Sequence, residues 1–175
     1  MPNTQLQLDK IALGGSCHWC TEAIFLSLKG VAQVEQGWVA SIAPHDTFSE
    51  GVIVHFDPTQ ITLRDLIAAH LYSHSCTSNH AMRVKYRSAI YVYSAQQHAQ
   101  AQQIIADFQP EFDNKIITRV QPFVAFTPSR DEIVNYYFKN PSKPFCQTYI
   151  DPKLKRLMAQ FPQVVDHAKL AHLQI

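Results

Sequence analysis

No apolar run in these 175 residues approaches the length of a membrane span, and the opening MPNTQLQLDK lacks the layout of a secretory signal peptide. The expectation is a cytoplasmic protein with no membrane partner. Charge is scarce as well: 17% of residues are charged, the formal net charge is +1, and there is no basic block. A nucleic-acid partner therefore has no electrostatic support. Internal repeats and low-complexity linkers are also lacking. A hydrophobic content of 46% excludes a disordered chain, and the length fits one domain, read as residues 1–175. The cysteines are Cys17, Cys20, Cys76 and Cys146. In a reducing compartment such a small set points to reduced, catalytic or metal-binding thiols rather than a disulfide framework.

What is present reads as alternating strands and helices. Leu6, Leu8, Ile11 and Leu13 lie at strand-like spacing, and Lys10–Leu13 is read as the first strand, ended by Gly14-Gly15. Residues 19–29 carry a helical stripe (Ala23, Ile24, Phe25, Leu28) with Gly30 as its stop. Val31–Val39 reads as a strand, 40–50 as a loop, and Val52, Val54 and Phe56 as a strand closed by Asp57-Pro58. Thr62 with Asp65 resembles a capping box before a helix whose face is Leu63, Leu66, Ile67, His70 and Leu71. An irregular polar segment, 73–87, precedes the strand 89–93, and Ser94 with Gln97 caps a helix to about Phe108. One strand is expected over 116–126, bent or edge-placed at Pro122. A short helix capped by Ser129 and Glu132 is expected through Tyr137. Another starts at Asp151-Pro152, and the last dozen residues form a weakly amphipathic tail. The order through residue 93 predicts an α+β fold with a ferredoxin-like split βαβ core, a two-layer sandwich with a C-terminal extension.

The chemistry concentrates in Gly14-Gly15-Ser16-Cys17-His18-Trp19-Cys20-Thr21-Glu22-Ala23. A small-residue turn delivers Cys17 to the start of a helix, where unpaired backbone N–H groups and the helix dipole favour thiolate, the reactive form. The commonest role of any one cysteine is a small buried apolar residue, but such a residue needs neither the turn nor the helix start. Other readings are a disulfide exchanger built on Cys17 and Cys20, and a zinc-bound structural module using Cys17, Cys20, His74 and Cys76. Against zinc, only one residue separates the second pair, and there is no second CxxC. Glu50, before an apolar strand, fits a solvated loop end; beside Cys17 it would be a general acid. Tyr86 and Tyr91 fit the sheet or core, and a hydroxyl beside a reactive sulfur would donate to a bound oxygen. Most of the nine histidines fit surface or helix-face positions.

Ser16-Cys17-His18-Trp19-Cys20-Thr21-Glu22-Ala23 resembles the methionine sulfoxide reductase A family, whose signature is Gly-Cys-Phe-Trp, often continued Cys-Thr-Glu-Ala. Leu28-Lys29-Gly30-Val31, Phe56-Asp57-Pro58, Tyr86-Arg87-Ser88-Ala89-Ile90-Tyr91, Lys139-Asn140-Pro141 and Pro152-Lys153-Leu154 follow in family order, so the resemblance covers about residues 8–162 and leaves the tail 163–175 outside. It implies thiol-dependent reduction of the S epimer of methionine sulfoxide, free or in proteins, with no metal or organic cofactor. By match, Cys17 is the nucleophile, Glu50 the proton donor and Tyr86 an oxygen-binding hydroxyl. His18, Trp19 and Trp38 would shape the substrate pocket. Cys146 and Cys20 are the candidates to resolve the sulfenic acid, and thioredoxin or a small thiol would be the reductant.

The sequence also departs from the family pattern. Ser16 stands for glycine and His18 for phenylalanine. Gly37-Trp38-Val39-Ala40-Ser41 stands for Gly-Tyr-(Ala or Thr)-Gly-Gly, which removes one tyrosine hydroxyl. The segment from His80 to Ser88 lacks the family's aspartate, and Ile133-Val134 replaces His-Gln. These losses define the alternative: a catalytically weak or inactive relative that binds sulfoxide-like or methionine-containing ligands.

Overall fold

Strand β1 (Asp9–Gly14) lies at the centre of a six-stranded sheet of order β5-β4-β1-β3-β2-β6. The computed structural model describes residues 7–173, so Leu6 lies outside the described residues. β1 pairs antiparallel with β3 (Ser49–Phe56) and with β4 (Ala89–Val92), and β3 pairs antiparallel with β2 (Val31–Ala40). Helices α1 (His18–Leu26), α2 (Leu63–Ser73), α3 (Ala95–Phe108) and α5 (Asp151–Gln160) join the sheet in one core. The α+β class therefore holds. Among the described residues no helix is long and apolar enough to cross a membrane.

Side chains alternate along a strand, so each strand sorts its residues between two faces. Ile11, Leu13, Val34, Val52, Val54 and Phe56 meet Phe25, Ile24, Leu66 and Leu154 on the helical side. Ala12, Val39, Ile53, Ala89 and Tyr91 form a smaller cluster with Phe123 and Phe126 on the other side. Phe25 is fully buried, so Phe25→Ala is expected to cost about 3–5 kcal/mol. The Thr62–Asp65 capping box forms in both directions, and Ser94 caps α3 by accepting from Gln97 N–H.

Two expectations are corrected, and the tail gains a place. The strand expected over 116–126 is two: β5 (Arg119–Pro122) runs parallel to β4, and β6 (Ala125–Pro128) pairs antiparallel with β2. Phe123 N–H bonds Val92 O, and Val124 N–H bonds Ala40 O. A flat sheet would hold β4 and β2 about 14 Å apart, three strand spacings, so two consecutive residues reach both only because this end curls. The helix expected from Ser129 begins only as α4 (Tyr136–Lys139), because Asn135 adopts φ +55° and hands its N–H to Glu22. The tail is docked: Lys29 N–H bonds Val164 O, Asp166 N–H bonds Ser27 O, and Val165 and Leu170 are fully buried.

Candidate active site

Cys17 is the N-cap residue of α1, as its sequence context suggests, and its thiol is partly exposed. The loop before it is tied down residue by residue. His70 Nε2 meets Gly14 O at 2.7 Å, and Arg83 Nη1 donates to Gly15 O at 2.8 Å. Gly15 is required by space: a Cβ there would lie 2.5 Å from the His74 ring. Thr21 Oγ1 donates to Cys17 O at 3.2 Å.

Three donors converge on the Cys17 sulfur. The Cys20 thiol contributes most, followed by the backbone N–H groups of Trp19 and Cys20. Burial and the nearby Glu50 charge oppose them, and the balance lowers the pKa to about 7. Cys20 moves the opposite way, raised first by its bond to Cys17 and then by burial. Cys146 is fully buried in a π-helical turn (Cys146–Ile150) before α5, close enough to Cys20 to act on it electrostatically.

Glu50 is not a loop residue. It belongs to β3 and is 5% exposed. The period of two places it on the face of Val52 and Val54, opposite Trp38 in the β2–β3 register. Its Oε1 accepts from the backbone N–H of His18 at 3.3 Å and lies 3.4 Å from His18 Nε2. Lys85 Nζ is 3.6 Å from Oε2. His18 is buried, with Nδ1 3.0 Å from Gly37 O and its ring 5.1 Å from Trp38, edge-on.

Tyr86 and Cys17 both line a cleft of about 470 Å³, together with Met82, Phe145, Tyr149 and Lys153. Trp19 stacks on Tyr136, ring centroids 4.1 Å apart at 6°, and meets Phe145 edge-on. The structure thus brings together Cys17, Cys20, His18, Glu50 and Trp38; Tyr86 lines the cleft with Cys17 and Cys20, whereas Glu50, His18, Trp19 and Trp38 lie behind its lining. Tyr91 is elsewhere, fully buried under Arg87. The zinc reading fails on ligand geometry, because both His74 nitrogens are engaged, with His70 O at 2.5 Å and Ser88 Oγ at 2.8 Å.

Sequence reasoning missed the supports. Arg83 gives four hydrogen bonds: Nε to Ser78 O, Nη1 to Gly15 O and Tyr86 O, and Nη2 to Ser75 O. Ser49 Oγ donates to Lys85 O and accepts from Arg87 N–H, which pins the Tyr86 loop beside Glu50. Glu22, 1% exposed, accepts from Gln36 Nε2 and from the N–H groups of Asn135 and Tyr136. An arginine in an irregular polar segment was the only available signal for the first of these.

A family model described as peptide methionine sulfoxide reductase matches residues 9–164. The chain belongs to that family. It is 32% identical over 169 residues to the peptide methionine sulfoxide reductase MsrA of Sulfolobus acidocaldarius, covering 89% of this chain and 96% of the relative. To MsrA of Acinetobacter baumannii (strain SDF) it is 31% identical over 172 residues, covering 90% and 98%. Among solved structures, methionine sulfoxide reductase A of Corynebacterium diphtheriae superposes with TM-score 0.69 at 26% identity, over 80% of this chain and 78% of that one. Reduced Mxr1 from Saccharomyces cerevisiae shares the fold, with TM-score 0.72 at 22% identity over 82% and 91%. Two departures from this family's pattern, His18 and Trp38, contact each other and adjoin Glu50.

Proposed function

We propose that this chain reduces the S epimer of methionine sulfoxide, free or in proteins, to methionine, with thiols as the source of electrons. The observation that carries the reading is a thiol held by three hydrogen-bond donors, at a helix start, beside a buried carboxyl group. Cys17 thiolate attacks the sulfoxide sulfur while the oxygen takes a proton from Glu50. In sum, Cys–S⁻, R₂S=O and H⁺ give Cys–SOH and R₂S: the Cys17 sulfur is oxidised by two electrons and the sulfoxide sulfur is reduced by two. Tyr86, which lines the same cleft as Cys17, serves as a hydroxyl donor to the same oxygen. Trp38 and Trp19, with His18, shape the apolar wall for the substrate's methyl group.

The Cys20 thiol is the largest influence lowering the Cys17 pKa, which supports Cys20 as the resolving residue ahead of Cys146. Its attack on the sulfenic acid forms a disulfide and releases water. An external dithiol of the thioredoxin kind, or two small thiols, then restores both cysteines. All four cysteines are free, which fits a reducing, cytoplasmic setting.

The test is turnover of separate S and R epimers of a methionine sulfoxide peptide with dithiothreitol, beside Cys17→Ser. Turnover of the S epimer alone, absent in the variant, supports the reading. Turnover of neither epimer by the folded protein refutes it.

A further inference from the structure

The two nitrogens of His18 do different things. Nδ1 lies 3.0 Å from the Gly37 carbonyl oxygen. A carbonyl only accepts, so Nδ1 carries a hydrogen. Nε2 faces Glu50 Oε1 at 3.4 Å, with the two side chains 6% and 7% exposed. Without a proton between them, two lone-pair atoms would face each other out of water; with two protons, two hydrogens would collide. One shared proton is the count that satisfies both groups. Phenylalanine, the residue of the family pattern at this position, has no atom that could hold it.

The surroundings confine that proton to the pair. Gly37 O takes the other side of the ring, and the Trp38 ring covers it edge-on at 5.1 Å. Cys17 is the neighbouring titratable group on the α1 side and acts electrostatically with Glu50. Lys85 Nζ stands 3.6 Å from Glu50 Oε2, with its own side chain 57% exposed. That edge gives the pair its route to solvent.

We propose that His18 and Glu50 form one proton-holding pair, in which His18 is the positioning residue that keeps the proton Glu50 delivers to the departing sulfoxide oxygen. This rests on the reductase reading above. In the step, the shared proton leaves the pair as the O–H bond forms, the sulfur–oxygen bond of the substrate breaks, and Cys17 becomes the sulfenic acid. The pair regains a proton from water past Lys85.

The experiment has two arms. Side-chain ¹⁵N NMR of the resting protein reads the pair without turnover. Nδ1 is expected to carry its hydrogen, and the Nε2 resonance is expected to move in Glu50→Gln, where the shared proton loses its carboxylate. The second arm is methionine release in the first turnover, without reductant, as a function of pH. His18→Asn keeps an amide N–H near the Nδ1 position for Gly37 O but cannot titrate. Its first-turnover rate is expected to fall about tenfold or more at a given pH. A profile superimposable on that of the parent protein overturns the proposal. Methionine release together with an Nδ1 that lacks its proton overturns the pair while leaving the reductase reading standing. An intact NMR signature with no methionine release overturns the delivery step and the reductase reading together.

Discussion

The thiol of Cys20 donates a hydrogen bond to the sulfur of Cys17, one turn back along α1. This is the largest single influence on the Cys17 thiol, and it couples the two cysteines before any chemistry. Cys20→Ala is expected to raise the Cys17 pKa from about 7 toward the ordinary cysteine range, whereas Cys20→Ser retains an O–H donor and most of the shift. The pH dependence of iodoacetamide alkylation at Cys17 measures it. With the lowered pKa, alkylation rises through pH 7; in Cys20→Ala the rise moves to higher pH.

Arg83 joins the nucleophile loop to the Tyr86 loop through Gly15 O and Tyr86 O. Arg83→Ala is expected to lower stability by about 2 kcal/mol and the first-turnover rate about tenfold or more, since small misplacements of reacting groups carry large penalties. Arg83→Lys does not rescue, because an ammonium cannot reproduce the planar fork. Denaturant melts and rapid-quench rates check both.

How much of this could be read from the chain alone varies by element. The Gly14-to-Ala23 run announces its helix start and reactive thiol, because caps and turns are local. Glu50 was harder: Ser49-Glu50 looks like a loop end, and only the pairing with Trp38 carries it into the sheet. The supports were invisible for the same reason. Arg83 reaches Gly15 across 68 residues, and Glu22 reaches Asn135 across 113, so no window on the sequence contains either bond. Ser129 looked like a cap; the turn it would have capped is set instead by Glu22 taking the N–H groups of Asn135 and Tyr136.

Glu22 is expected to be structural. Glu22→Gln turns one of its two acceptor oxygens into an NH₂ group that faces existing donors, either the Asn135 N–H at Oε2 or Gln36 Nε2 and the Tyr136 N–H at Oε1. A loss of about 1–3 kcal/mol follows. Tyr136 should also loosen from Trp19, which a change in tryptophan fluorescence reports before global unfolding.

Acid should destabilise the fold through His70. Burial drops its pKa from 6.5 to about 4, and His74 shifts the same way, also chiefly by burial. Below pH 6.5 the unfolded chain binds protons that the folded chain refuses, so stability falls as pH drops from 6.5 to about 4. Each pKa unit of difference is worth about 1.4 kcal/mol, so His70 alone contributes on the order of 3 kcal/mol over that window. His70→Gln, which keeps an amide N–H for Gly14 O, is expected to flatten the decline of melting temperature with pH.

The most direct test is one turnover without reductant. The folded protein is mixed with excess S-epimer peptide, released methionine is counted, and the cysteines are mapped by mass spectrometry. The expected result is about one methionine per chain with Cys17 joined to Cys20, and none from Cys17→Ser or from the R epimer. No methionine from the S epimer, or equal release by Cys17→Ser, would contradict a Cys17-centred reductase.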